Sequence, residues 1–235
     1  RPFRHPPLPQ DPVGVVTAKG RVTRRASQLV KQLRLLPSTL RQGVRAAAAA
    51  LREAGHEVVD AEPPAIDEGC DLWAAIVRNE IQFALFPMLE PILGQGGRAF
   101  LGHVFQWERV PVLDVPGYVM AWAQRQNLAR RWEQFFEQYD LVAGPVSCAK
   151  PFAVGRDLAA PEAVMEILEQ LRLVVTVNLL GLPAAVVPAG MGGGLPRAVQ
   201  LIGPRYRESW CLDAAEAIEE RLGVVTPIDP QGDAG

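Results

Sequence analysis

Ser147 and Lys150 form the first pair in this sequence that could carry out chemistry, because they follow the pattern S-x-x-K. On a helix, that spacing places the lysine one turn from the serine, where it can activate the hydroxyl as a nucleophile. Pro145 and Pro151 flank the pair, and prolines at these places disfavour a helix, so we predict an extended loop. In an extended loop the lysine points elsewhere, and Ser147 is then not a nucleophile.

Other residues able to act as nucleophiles or metal ligands are scattered. The sequence contains no C-x-x-C or H-E-x-x-H spacing, no G-x-S-x-G, no P-loop and no G-x-G-x-x-G after a strand, which are the patterns that position such residues. We therefore predict no catalytic residue, no metal and no cofactor in this chain. The histidines and cysteines concerned are His5, His56, His103, Cys70, Cys148 and Cys211.

A glycine-rich segment at Gly190–Gly194 could surround a phosphate group if it opened a helix. It stands between two apolar runs instead, so we predict a flexible hairpin connection.

Charge is distributed unevenly, although the whole chain carries only -2. Residues 1–52 contain eleven basic residues against one acidic residue, Asp11. Such a segment can bind polyanions, but no aromatic side chains alternate with the basic ones, as they do in single-strand binders. We favour docking of this basic face on the acidic remainder or on a partner chain, and we do not expect nucleic acid as a ligand.

The sequence gives no sign of membrane insertion or secretion. No apolar run approaches the roughly 20 residues needed to cross a bilayer, and the first residues lack the apolar core of a signal peptide. We expect a soluble protein of the cytoplasm. The sequence begins with Arg1, which processing, trimming or excision from a longer chain would each explain.

Hydrophobic periodicity predicts one α/β unit over residues 1–235, with residues 1–11 irregular, the basic segment 18–36 unplaced and the tail 226–235 frayed. The first two strands enclose a helix, which predicts a parallel βαβ unit, and the last two are predicted to be antiparallel. The predicted strands are Pro12–Thr17, His56–Asp60, Asp140–Gly144, Pro183–Ala189 and Ala198–Gly203. The predicted helices are 39–54, Asp67 to Pro87 or Pro91, Pro116–Gln138, 161–174 and Glu208–Arg221.

The sequence also predicts how some of these helices begin and end and which side chains they bury. Thr39 with Gln42 predicts a capping box, and Gly55 predicts the end of the first helix. The segment Gly94–Gly97 is predicted to be a turn. The second helix is expected to have Leu72, Ile76, Ile81, Leu85 and Leu89 on one side, and the last helix is expected to bury Cys211, Leu212, Ala215, Ile218 and Leu222.

One long stretch resembles the C-terminal region of amidase signature enzymes. Asn178–Gly190 follows the pattern N-x-x-G-x-P-A-x-x-x-P, and Gly194–Gly203 follows G-L-P-x-G-x-Q-x-x-G, with Ala198 in place of the usual glycine. A final helix begins with Glu208-Ser-Trp-Cys-Leu212, and upstream segments match in order back to residue 39, whereas residues 18–36 do not fit.

This resemblance implies the C-terminal half of a large α/β/α sandwich with a mixed sheet, here of about five strands covered by helices. The family's two serines and lysine lie in an N-terminal half around a Gly/Ser-rich signature, and no Gly-Gly-Ser-Ser stretch occurs here, so no catalytic residue is carried over. The segment corresponding to Asp71–Leu113 contributes substrate-pocket walls in such enzymes. The resemblance therefore suggests Trp73 and Ile76 as substrate-side residues, and Asn178 and Gln200 as polar residues that bond loops around the sheet.

Two functions remain open at this point. The chain can be read as the C-terminal part of a truncated amidohydrolase, acting on a small-molecule amide once an N-terminal half completes it. Alternatively, it is a catalytically inactive binding or scaffold module. Because isolated strands and apolar faces are costly, we expect a partner chain or self-association in either case.

Overall fold

The structure is a computed structural model that describes residues 13–17, 37–108, 110–192 and 194–223. Its described strands are β1 (Val13–Thr17), β2 (Glu57–Ala61), β3 (Leu141–Pro145), β4 (Ala184–Gly192) and β5 (Leu195–Ile202). Its α-helices are α1 (Ser38–Glu53), α2 (Ile66–Glu80), α3 (Phe86–Leu89), α4 (Gln95–Phe105), α5 (Val115–Phe136), α6 (Pro161–Gln170), α7 (Arg172–Leu180) and α8 (Glu208–Leu222). A π turn at Ile81–Leu85 and 3-10 turns at Glu90–Ile92 and Arg156–Leu158 complete the helical part. The segments 1–11, 18–36 and 226–235 lie outside the described residues.

The five strands form one sheet in the order β2-β1-β3-β5-β4, and every pair among the described strands is antiparallel. The predicted parallel βαβ unit is therefore wrong, since Val15 of β1 lies opposite Val59 of β2 in an antiparallel register. The long connection 18–37 separates β1 from α1, so helix and strand are not constrained to form a compact crossover unit. The predicted antiparallel pair at the end of the chain, β4 with β5, is confirmed.

Side chains alternate between the two faces of the sheet, as the period of a strand requires. Leu141 and Ala143 of β3 enter a core with α1 and α8 that includes Leu51 and Ile218. Val142 enters the opposite core, with α2, α5 and α7. The sheet is thus covered by helices on both sides, and a third cluster around Val104, Trp107 and Val164 joins α4 and α6 to α2.

The N-terminus of α1 is held differently from the predicted capping box. Pro37 is the N-cap, and no side-chain cap bond forms among the described residues. Instead, Nη1 of Arg197 in β5 donates to the Thr39 carbonyl at 3.4 Å and to Oε1 of Gln42 at 3.0 Å. Arg197 therefore connects the final hairpin to the first turn of α1. The predicted stop at Gly55 is confirmed, with a left-handed φ of 88°.

The long helical segment after residue 66 runs through Pro87 and ends at Ile92, directly after Pro91, the later of the two predicted ends. Pro87 lies in the first turn of α3, where its missing N–H needs no partner. Leu72 and Ile76 are buried as predicted, but Leu85, in the π turn, is 44% exposed. Gly94–Gly97, predicted as a turn, mostly belongs to the start of α4.

The last helix, α8, buries Cys211, Ala214 and Ile218. Leu212 and Leu222 were predicted to face inward, but they are 62% and 38% exposed. Leu212 lies off the stripe that residues spaced by three and four form on one helix face, whereas Leu222 continues this stripe after Ile218 but is the last residue of α8. Among the helices that the structure describes, none combines the length and apolarity needed to cross a bilayer.

Candidate functional site: a groove walled by α2, α6 and the 105–113 loop

Arg78 at the end of α2 organises the loop that follows α4. Arg78 is 8% exposed, and its guanidinium donates to three main-chain carbonyls, those of Phe105 at 2.7 Å, Trp107 at 3.1 Å and Val110. Burial lowers the pKa of Arg78 from its usual value. Its two Nη atoms make these bonds, whereas its buried Nε has no hydrogen-bond partner among the described residues. Three bonds from one buried cation to backbone oxygens fix the course of the loop around it.

Asn79, the next residue, also holds this loop. Its Nδ2 donates to the Ala75 carbonyl at 2.7 Å and to the Pro111 carbonyl at 3.0 Å. Its Oδ1 accepts the N–H of Leu113 at 2.8 Å. Arg78 and Asn79, which we call the loop clamp, therefore attach residues 105–113 to α2 over the full length of that loop.

A third contact ties the start of α5 to the same helix. The hydroxyl of Tyr118 donates to Oε1 of Glu80 at 2.6 Å, and this bond raises the pKa of Tyr118. Asp114 caps α5 by accepting the N–H of Gly117 at 2.8 Å. Residues 78–80 thus hold the whole passage from α4 to α5.

A cavity of about 950 Å³ lies between the clamped loop and α6. Arg78 and Trp107 form part of its wall, and Met165 of α6 faces them. Four glutamates also line it, and one of them, Glu166, forms an ion pair with Arg156 at 2.5 Å. The glutamates are Glu108, Glu162, Glu166 and Glu169.

A second cavity, of about 680 Å³, adjoins the first and shares Val110, Pro111, Met165 and Glu169 with it. Its remaining wall is largely apolar and comes mostly from α2 and α5, including Ala75 and Met120, with Leu113 from the loop between α4 and α5. Together the two cavities form one groove with a polar and an apolar part. Such a groove suits a small organic molecule with a polar group at one end.

The groove carries no activated nucleophile among the described residues. Cys70 lines the apolar part, but burial, followed by the charge of Asp71, raises the pKa of its thiol to about 12. Cys211 in α8 is likewise held protonated, because burial raises its pKa to about 11. A thiol that keeps its proton is a poor nucleophile. Within the described ranges, no three residues among His, Cys, Asp and Glu cluster as metal ligands would.

The Ser147–Lys150 pair lies in an irregular loop, as predicted. Ser147 Oγ contacts main-chain atoms of Ala149, with 3.1 Å to the carbonyl and 3.2 Å to the N–H. This local turn occupies the hydroxyl, and the helical geometry that S-x-x-K chemistry needs is not formed.

The two residues suggested for the substrate side do not border the two cavities. Ile76 is 2% exposed and packs in the core between α2, α5 and α7. Trp73 is partly buried between that core and the α4–α6 cluster. Their neighbours on α2, Ala74 and Ala75, line the groove instead. The structure therefore gives Ile76 a packing position, and a substrate role for both residues stays a prediction.

The two polar residues of the C-terminal motif occupy different positions. Gln200 is 3% exposed, and its Nε2 donates to the Pro145 carbonyl at 3.4 Å, between β5 and β3. Asn178 is exposed near the end of α7, where its carbonyl accepts the N–H of Gly181 at 3.2 Å.

The loop clamp was not predicted from the sequence. Its only signal is Arg78-Asn79 inside a run of apolar periodicity, where two adjacent polar residues interrupt an otherwise buried face. The partners of Arg78 are main-chain carbonyls, which leave no trace in the side-chain sequence. His103, which the sequence left unassigned, places Nε2 3.1 Å from the Leu158 carbonyl.

Known proteins match this chain over most of its length. The family model described as Amidase matches residues 28–212. An indoleacetamide hydrolase from Bradyrhizobium japonicum is 33% identical over 221 residues, which are 93% of this chain and 45% of that protein. A second indoleacetamide hydrolase, from Bradyrhizobium diazoefficiens, is 35% identical over 184 residues, which are 77% of this chain and 34% of the relative.

Solved structures share the fold. A 6-aminohexanoate cyclic dimer hydrolase complexed with substrate superposes with a TM-score of 0.64 at 24% identity, covering 80% of this chain and 42% of that one. An allophanate hydrolase from Kluyveromyces lactis gives 0.66 at 20% identity, covering 79% and 30%. The chain spans less than half the length of these relatives. With a family model matched over residues 28–212, this chain belongs to the amidase signature family.

Proposed function

We propose that this chain supplies the substrate-side half of an amidohydrolase that cleaves the C–N bond of a small carboxylic amide. The observation that carries this proposal is the groove between the clamped loop and α6, in a chain of the amidase signature family. Relatives named for amide hydrolysis, such as the Bradyrhizobium japonicum indoleacetamide hydrolase, support the reaction class.

The reaction would proceed through an acyl-enzyme. A serine hydroxyl, with a lysine as its base, adds to the amide carbonyl, and backbone N–H groups stabilise the resulting oxyanion. The C–N bond breaks, the amine leaves with a proton, and water then hydrolyses the serine ester to the free acid. We assign that serine and lysine to the part of the enzyme beyond the described residues, since the groove here carries no activated nucleophile.

The two parts of the groove would bind the two ends of the amide substrate. Its apolar part, walled by Leu113, Met120 and Ala121, would hold the hydrocarbon portion of the amide away from water. Its polar part would receive the other end of the molecule, beside the Glu162–Glu169 face of α6. The loop clamp makes this arrangement rigid, because Arg78 and Asn79 fix the wall that both parts share.

A second function, an inactive binding or scaffold module, has one observation in its favour. Two of the described nucleophiles are occupied or held protonated, Ser147 in its turn and Cys70 by burial. A module that binds without turnover would retain the groove and its clamp. Binding of polyanions by residues 1–52 stays a prediction, since most of that segment lies outside the described residues.

The proposal also includes the compartment in which the protein works and the partner that completes it. We place the protein in the cytoplasm, a compartment whose reducing conditions suit its three free cysteines. We also propose that it works with a partner chain or further polypeptide that supplies the reacting serine.

The test is ammonia release from indoleacetamide by this chain alone and by this chain co-expressed with the part of the Bradyrhizobium japonicum hydrolase that lies outside their match. The proposal expects turnover only in the combined sample, unchanged by Ser147→Ala. Turnover by the chain alone that Ser147→Ala abolishes would place the nucleophile in this chain and refute the assignment. Absence of turnover in both samples, with the amide still bound, would favour the inactive module.

A matched pair of variants tests the groove in the combined sample. Met120 and Val119 are neighbours on α5, 58% and 60% exposed, and only Met120 lines the apolar part. Met120→Asp should raise KM about tenfold, which corresponds to about 1.4 kcal/mol of lost binding. Val119→Asp should leave KM unchanged. Equal effects of the two variants would contradict a substrate role for the groove.

A further inference from the structure

The groove carries a marked excess of negative charge. Six of the side chains that line its two cavities are carboxylates, and Arg78 is the one cation among the described lining residues. The Nη atoms of Arg78 donate to main-chain carbonyls, so this cation is not paired with any of the acids. A cleft lined in this way attracts cations and repels anions. The acids are Glu68, Asp71, Glu108, Glu162, Glu166 and Glu169.

Three of these acids are accounted for by the fold itself. Glu68 pairs with Arg131 at 2.7 Å, and Glu166 pairs with Arg156 at 2.5 Å. Glu162 lies in the first turn of α6, where the positive end of the helix dipole stabilises a carboxylate. None of the three therefore requires a ligand.

Glu169 has no such compensation. It lies in the last turn of α6, where the negative end of the helix dipole disfavours a carboxylate. Arg172 lies three residues further on, but it pairs with Asp67 at 3.1 Å and donates its Nε only to the main-chain carbonyl of Glu169, at 2.9 Å. Glu169 is only partly exposed, and its carboxylate has no ion-pair or hydrogen-bond partner in the part of the chain that the structure describes.

The position of Glu169 connects the two parts of the groove, because this residue lines both cavities. Burial raises the pKa of the Cys70 thiol to about 12, and the charge of Glu169 is one of the smaller contributions in the same direction. Cys70 lines the apolar part, so the field of the Glu169 carboxylate extends into that part. A cation at the junction of the two cavities would therefore lie next to the uncompensated charge.

The opposite wall of the polar part contains unpaired donors. Trp107 is 5% exposed and lines this cavity. Within the described ranges, neither its Nε1 nor the Nε of Arg78 has a hydrogen-bond partner. Buried donors normally bond to an acceptor, and an oxygen atom of a ligand in this cavity would be one. The face of an indole ring also attracts a cation. This wall therefore suits a ligand that carries both an acceptor oxygen and a positive charge.

We propose that the groove binds a cationic amide, whose ammonium group lies beside Glu169 and whose hydrocarbon part lies in the apolar cavity. This inference rests on the proposed function, in which an amide bound in the groove is hydrolysed. A neutral amide of the same shape leaves the Glu169 carboxylate without a cation, and an anionic one is repelled by the acids of the lining. Glu169 is thus the residue that determines the charge of the substrate.

Three amides of similar length test this charge preference on the full chain. They are 5-aminopentanamide, hexanamide and the monoamide of glutaric acid, which end in an ammonium, a methyl and a carboxylate group. NMR titrations give the Kd of each. We expect 5-aminopentanamide to bind about tenfold more tightly than hexanamide, and the glutaric monoamide to bind most weakly. Equal affinity for the first two amides, or binding of none of the three, would overturn the proposal.

A matched pair of variants separates the local charge from the net charge. Glu169→Gln keeps the size of the side chain and removes its charge, and it should weaken binding of 5-aminopentanamide about fivefold without affecting hexanamide. Glu216→Gln makes the same change on α8, which packs against the other face of the sheet, and should alter neither affinity. Equal effects of the two variants on 5-aminopentanamide would overturn the role of Glu169.

The indole N–H of Trp107 gives a measurement that needs no charge variant. Its NMR resonance is identified by its loss in Trp107→Phe. This resonance should shift as 5-aminopentanamide saturates the unmodified chain, because the ligand lies against the same wall. Binding of the amide with no shift of this resonance would place it outside the groove and refute the proposal.

The combined sample with the remaining part of the Bradyrhizobium japonicum hydrolase separates this inference from the proposed function. There, kcat/KM should be about tenfold higher for 5-aminopentanamide than for hexanamide. Hydrolysis of both amides at equal kcat/KM would refute the inference and leave the proposed function intact. Tighter binding of the cation without hydrolysis of any amide would refute the proposed function and leave the binding preference intact. A preference lost only in the combined sample would show that a cation of the completing polypeptide pairs with Glu169, which would overturn the proposal.

Discussion

Gly69 in α2 and Thr176 in α7 approach so closely that a Cβ atom at Gly69 would stand 2.6 Å from Cγ2 of Thr176. Thr176 is fully buried, and its single hydroxyl proton is shared between the carbonyls of Ile66 at 3.0 Å and Arg172 at 2.8 Å. The threonine is thus bonded to both helices and cannot easily move aside. This contact sets the separation of α2 and α7 beneath the groove.

Gly69→Ala should therefore destabilise the fold by roughly 1–3 kcal/mol, the usual cost of overpacking a well-filled core. Urea unfolding of the full chain measures this as a lower midpoint. Gly102→Ala is the matched control, because nothing lies within 4 Å of a Cβ at that helical position. The control should be neutral or stabilising by up to about 1 kcal/mol. Adding Thr176→Ala to Gly69→Ala should cost less than the sum of the single changes, and strict additivity would disprove the contact.

Arg78→Met should loosen the 105–113 loop, because three carbonyls lose their donor. Each buried acceptor that loses its donor lowers the free energy of unfolding by up to about 3 kcal/mol. Hydrogen exchange over residues 105–113 should accelerate, and a protease should cut this loop first. Arg98→Met is the control, since Arg98 bonds the Leu93 carbonyl at an exposed site. If both variants leave exchange of the loop unchanged, the clamp does not hold it.

Ile76 offers a direct test of its buried position. Ile76→Ala should cost about 2–5 kcal/mol and Ile76→Val about 0.5–1.5 kcal/mol, as in other well-packed cores. In the combined enzyme, Ile76→Val should leave KM unchanged if the residue only packs. A clear rise in KM without loss of stability would instead support the substrate role suggested by the family resemblance.

The buried thiols should make stability depend on pH in the alkaline range. The folded state raises the pKa of Cys70 to about 12 and of Cys211 to about 11, both above the usual 9.0. The unfolded chain therefore releases these protons first as the pH rises, so stability is full below pH 9 and falls between 9 and the folded values. Urea midpoints at about pH 8 and about pH 10 measure the fall. Cys70→Ala should reduce this slope, and an unchanged slope would contradict the assignment.

Local patterns predicted the elements well where one residue type dominates. The alanine-rich run predicted α1, and the paired apolar runs around Gly190–Gly194 predicted the β4–β5 hairpin. Strand direction was missed at β1 and β2, because direction is decided by the return path of the chain and not by the strands themselves. The groove itself was not predicted, since its key bonds run from Arg78 to main-chain oxygens that any sequence possesses.

The π turn at Ile81–Leu85 carries one more residue per helical turn than an α-helix does. That additional residue determines on which face of the helix each following side chain lies. One of these side chains is Phe86, whose ring meets the Phe105 ring edge-on with 5.1 Å between the ring centroids. A one-residue deletion here would rotate everything downstream by about a quarter of a turn relative to α2. The length of this short segment is consequently as constrained as its composition, and natural variants should differ here by substitution and seldom by insertion or deletion.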